Sequence, residues 1–195
     1  MVKNVIVVAL VLGLASIASA GFLATDGSAM PAFQGTQAFA SGTMSADVDY
    51  AVYAPGNFGN ILTPDPSGGT DYVYAYQVMP TGTLPVTFLT VGLATGSGAQ
   101  NEGTAPLYGA AGGIAPTAWS IQSSSAAAAF LIPELNAPSF SQVMLFTSPN
   151  GPTFGPASVG DGGNSDQQIL TTPVPEPASL AFLVLGLGAL IRRSR

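Results

Sequence analysis

Glycine and proline interrupt this chain so often that no long helix can run through it: 24 glycines and 16 prolines fall within 195 residues. Proline lacks an amide donor and glycine favours turns, so the segments between them must be short. Those segments alternate. In MSADVDYAV, Met44, Ala46, Val48, Tyr50 and Val52 share one face, while Ser45, Asp47, Asp49 and Ala51 share the other. That is the period-2 pattern of a strand with one wet face. The stretch 72–78, YVYAYQV, carries Tyr72, Tyr74 and Tyr76 on one side. The stretch 85–93, PVTFLTVGL, reads as its hairpin partner. TAWSIQ and FSQVMLFTS add two further candidates. The alanines at 126–129 favour helix by propensity but have little room for one before Ile132-Pro133, so they read as strand or turn.

About five to seven strands within residues 41–148, without βαβ alternation, predict an all-β fold. The expected architecture is an antiparallel β-sandwich with immunoglobulin-like topology. Residues 21–40 read as a lead-in. Residues 149–172, rich in Pro, Gly and small polar side chains and lacking periodicity, read as a flexible linker.

The charges are distributed unevenly. The basic residues are Lys3, Arg192, Arg193 and Arg195, and the chain has no histidine and no cysteine. Between Gly21 and Pro173 there are only acids: Asp26, Asp47, Asp49, Asp65, Asp71, Glu102, Glu134, Asp161 and Asp166. Their side chains sum to about −9. Nucleic acid is excluded as a partner, because phosphate binding needs lysine and arginine. A Ser-His-Asp triad, a thiolate nucleophile and a cysteine zinc site all fail for want of the residue types.

What remains is carboxylate and aromatic chemistry. Asp47 and Asp49 lie two apart on a strand and point the same way, a placement compatible with a glycosidase pair, but two acids on a wet face read as solvated. Asp161, Asn164 and Asp166 have the oxygen donors calcium needs without the EF-hand spacing, and Asp65 and Asp71 do no better. The three tyrosines could form a platform for sugar rings or one inner face of the sandwich, and Trp119 reads as core. GAAGG at 109–113 reads as a turn, since no lysine follows. The expectation is therefore no catalytic residue, no metal and no cofactor.

Both ends carry signals. MVKNVIVVALVLGLASIASA has a basic Lys3, an apolar run over 5–14, and small residues at Ala18 and Ala20. This reads as a secretory signal peptide with cleavage expected between Ala20 and Gly21, the alternative being an uncleaved N-terminal anchor. At the other end, 178–191 is apolar apart from Ser179 and stops at Arg192, Arg193 and Arg195. At ~1.5 Å per residue this run is shorter than a ~30 Å bilayer core, and the arginines can snorkel to the cytoplasmic interface as a stop-transfer cluster. Before it, PVPEP cannot be helical throughout.

Val174-Pro175-Glu176-Pro177, the Leu/Gly/Ala-rich segment and the arginine cluster together resemble the PEP-CTERM sorting signal of Gram-negative bacteria, over residues 173–195. That resemblance implies recognition by a membrane-embedded exosortase, a transient partner, and delivery to the cell surface or the extracellular polysaccharide matrix. The chain is expected to be a non-enzymatic, exported protein with a structural or adhesive role, with extracellular polysaccharide as a further partner. The rivals are an inner-membrane tail-anchored binding protein and a carbohydrate-active enzyme using paired acids.

Overall fold

The computed structural model describes residues 22–59, 64–106 and 113–175, with Phe22 described in its backbone only. Ala18, Ala20, Gly21, Glu176, Pro177, the apolar run 178–191 and Arg192, Arg193 and Arg195 lie outside them. No helix among the described residues is long and apolar enough to cross a membrane.

A short helix α1 (Phe22–Thr25) and a 3-10 turn (Pro31–Phe33) precede ten strands. These are β1 (Gln34–Ser41), β2 (Met44–Tyr53), β3 (Tyr72–Pro80), β4 (Phe88–Gly92) and β5 (Gln100–Ala105). They continue as β6 (Ala118–Ile121), β7 (Ser125–Ala129), β8 (Val143–Ser148), β9 (Pro152–Gly160) and β10 (Ser165–Pro173). Two five-stranded sheets result, in the orders β1-β2-β3-β8-β5 and β10-β9-β4-β7-β6. Every pairing between these strands is antiparallel. The chain forms the all-β sandwich that its alternation predicts.

The main core lies between the sheets. Val48, Val52, Tyr74, Tyr76 and Phe146 meet Leu89, Val91, Phe130, Val159 and Leu170, all of them buried. Tyr74 stacks on Phe146 at 5.0 Å with 11° between the rings. The alanines at 126 and 128 are buried here in β7, which settles that stretch as strand.

The first sheet is also covered on its other face. Ala51, Tyr53, Val73, Ala75, Val143 and Leu145 form a second buried cluster under Leu23, Ala29 and Phe58. The face expected to be wet is therefore partly dry. Asp49 is fully buried on it and accepts a 2.6 Å bond from Thr36 Oγ1, directly across the β1–β2 ladder. Residues 21–40 are not a lead-in: α1 packs over the sheet and β1 forms its edge.

Two further expectations are corrected. Residues 149–172 are not a flexible linker, because they contain nearly all of the β9–β10 hairpin, which places Ala157, Val159 and Leu170 in the core. Pro156 fits because β4 pairs only with residues 157–160 of β9, so the proline, which lacks an amide donor, lies just beyond that ladder. The segment 85–93 is not the hairpin partner of β3 either, since β4 pairs with β7 and β9 in the opposite sheet. The crossing chain passes tightly over the β1–β2 turn. A Cβ at Gly82 would lie 2.6 Å from the backbone of both Thr43 and Ser45.

Candidate functional site

The sandwich ends on one side with β5 at the edge of the first sheet and β6 at the edge of the second. Between these edges lies a cleft of about 270 Å³, lined by Glu102, Gly103, Thr104, Pro116, Thr117, Ala118 and Trp119. Trp119 is the aromatic residue of that lining. That residue pairs with Ala128 of β7, so the small alanine leaves room for the ring between the sheets. Trp119 Nε1 donates a 2.9 Å bond to the Leu145 carbonyl, and the ring lies 6.4 Å from that of Phe146. With its polar edge bound inward, the ring is held in one orientation.

A bulge in β5 shapes the opposite wall. Gln100 pairs with Thr147 and Gly103 with Leu145, so β5 carries one extra residue between them. Asn101 takes a left-handed conformation there, with φ 54°, a strained region that asparagine tolerates better than most side chains. The bulge is tied down at its start by two side-chain bonds. Asn101 Nδ2 donates to Thr147 Oγ1 at 3.0 Å, and Gln100 Nε2 donates to Asp71 Oδ2 at 2.9 Å. Glu102 is exposed beside it, and a Cβ added to Gly103 would meet open space. The Pro116–Thr117 wall is fixed by Thr117 Oγ1, which accepts from the amides of Leu131 and Ile132.

A second, more apolar groove of about 310 Å³ lies where β10 ends, with Leu93, Phe154, Pro156, Pro173 and Val174 among its lining residues. Val174 donates its amide to the Gly151 carbonyl at 3.1 Å, and the Pro175 ring lies against Gly96. Val174 and Pro175 thus rest on the sandwich.

No protein-family model, curated protein or solved structure matches this chain. The chemistry must be read from the geometry.

The predicted acids are dispersed. Asp47 and Asp49 share a face but line neither cavity, and burial raises the Asp47 carboxyl above its ordinary value. Asp161 and Asn164 close the β9–β10 turn, whereas Asp166 Oδ2 accepts from the Ala40 amide of β1. Asp65 accepts from Ser67 within its own turn. Among the described residues no group of three or more acids converges to hold a metal ion.

Tyr74 and Tyr76 are fully buried, so the three tyrosines are not a sugar platform. Sequence reasoning missed Glu102, Gly103, Thr104 and Thr117. Only the Asn-Glu-Gly run at 101–103, a turn-like triplet, could have signalled the bulge.

Proposed function

We propose that this chain is an exported, non-enzymatic β-sandwich protein, sorted to the cell surface or the extracellular polysaccharide matrix, where it has a structural or adhesive role. The observation that carries the reading is the order of parts at the C-terminus. The last strand ends at Pro173, and Val174-Pro175-Glu176-Pro177, an apolar run and an arginine cluster follow without a spacer. A folded body lacking lysine and arginine, joined directly to a basic stop-transfer end, suits passage across the membrane and recognition by a membrane-embedded exosortase.

The test is the intact mass of the protein recovered from surface and membrane fractions of its host. The expected mass lacks residues 1–20 and the tail beyond the Pro-Glu-Pro region. A mass that still includes Arg192, Arg193 and Arg195 overturns sorting in favour of the tail-anchored binding protein.

A further inference from the structure

We propose that the cleft between the β5 and β6 edges is a binding site for a neutral saccharide chain, with Trp119 as the stacking surface. The inference comes from the cleft itself and goes beyond the sorting reading.

Four observations carry it. The indole is pinned by its bond to Leu145, so its exposed part is an apolar surface already held in place before any ligand arrives. The walls supply polar groups at the rim, a Glu102 carboxylate and the Thr104 side chain, beside the indole of Trp119. This is the pairing a sugar ring requires, since it offers C–H groups on its faces and hydroxyls at its edge. A carboxylate accepting from hydroxyls makes the stronger, charge-assisted class of hydrogen bond.

The bulge at Asn101 costs backbone strain. Strain of this kind survives where surrounding contacts enforce it, and here it sets the wall that carries Glu102. Finally, Thr104 pairs with Met144, a core residue between the sheets, so its side chain stands on the Trp119 side of β5.

Charge then selects among saccharides. Residues 21–173 contain no lysine or arginine, and Glu102 stands at the rim. A uronate or sulfated chain would meet only like charge, which disfavours it over an uncharged chain of the same shape. The size of the cleft is below the usual range for drug-sized ligands, so it suits one segment of a chain crossing the edge rather than an engulfed molecule.

Trp119 is the single tryptophan of the protein, which makes its emission a direct reporter. The experiment titrates the intact recovered protein with cellohexaose, laminarihexaose, mannohexaose and chitohexaose, and with an alginate hexasaccharide as the anionic comparison. At least one neutral chain is expected to shift Trp119 emission saturably, with little dependence on salt. Thr104→Val, which keeps the shape and strand propensity of an exposed residue and removes its hydroxyl, is expected to melt as the wild type does and to bind at least about threefold more weakly. Glu102→Gln is expected to fold normally and also to weaken binding.

Three results would each overturn the proposal. They are no emission change with any neutral chain at millimolar concentration, undiminished binding by Thr104→Val, or alginate binding as tightly as the best neutral chain. None of these bears on the mass measurement, so the cleft and the sorting reading can fail separately.

Discussion

Asp161 closes its turn with one carboxylate: Oδ1 accepts from the amides of Gly163 at 2.8 Å and Asn164 at 2.6 Å, and Oδ2 from the Asn164 side chain at 3.0 Å. The side-chain bond from Asn164 and these amides hold its carboxyl below the ordinary value. Asp65 and Asp26 repeat the device, each accepting from the amide and hydroxyl of the serine two residues on. In a folded body with no cationic side chain, amide and hydroxyl dipoles take the place of ion pairs. Asp26 adds a tertiary link, because the buried Tyr53 hydroxyl donates to its Oδ2 at 2.8 Å. Tyr53→Phe keeps the ring and removes that bond. The expected cost is about 1.5–3 kcal/mol, the range for a hydrogen bond to a charged group. Urea denaturation would show it as a lower midpoint at an unchanged slope. An unchanged midpoint would mean that the bond contributes nothing in solution.

At the scale of elements, the β9–β10 hairpin is where sequence pattern and structure part most clearly. Its strands read PTFGPASVG and SDQQILTTP, with glycine, proline and small residues diluting the alternation. Yet Ala157, Val159 and Leu170 reach the core, and β10 lies beside β1 at the closed edge of the sandwich. Partners distant in sequence supply the order that local propensity does not. The strand β2 was legible because both its partners allow strict alternation. The linkage of β3 to β4 was not, because the choice between hairpin and crossover depends on which sheet each strand joins. Leu170→Ala separates the two descriptions of this region. In a flexible linker the change would be nearly silent. In the core it should cost about 2–5 kcal/mol, read as a fall in urea midpoint. A silent Leu170→Ala would mean that β10 does not pack as described.

For the molecule as a whole, turn density and alternation were enough to define the all-β class, since many short strands with Gly/Pro-rich turns pack as sandwiches or barrels. The β5–β6 cleft was not legible, because its walls come from the edges of two different sheets. The consequence that belongs to the whole fold concerns its tyrosines. Tyr53 sits in the outer cluster, and Tyr74 and Tyr76 in the core between the sheets. Burial is the main reason that all three phenols are pushed well above their ordinary value of 10.0. For Tyr53 the Asp26 bond adds to the rise, and for Tyr76 the bond to Thr171 partly opposes it. Because the native state keeps these protons where the unfolded chain would release them, their stabilisation is complete below about pH 10 and is lost as pH climbs beyond it. Each tyrosine contributes about 1.4 kcal/mol per pH unit in that window, so the three together remove about 4 kcal/mol per unit. A domain of ordinary stability, about 5–15 kcal/mol, is exhausted within a few such units. Phenolate absorbance followed beside circular dichroism should show these tyrosines ionising together, in a cooperative step that coincides with loss of β signal. If phenolate instead appeared for every tyrosine near the ordinary value while the β signal held, water would have reached both clusters in the native state, and the two-sided burial of the first sheet would be disproved.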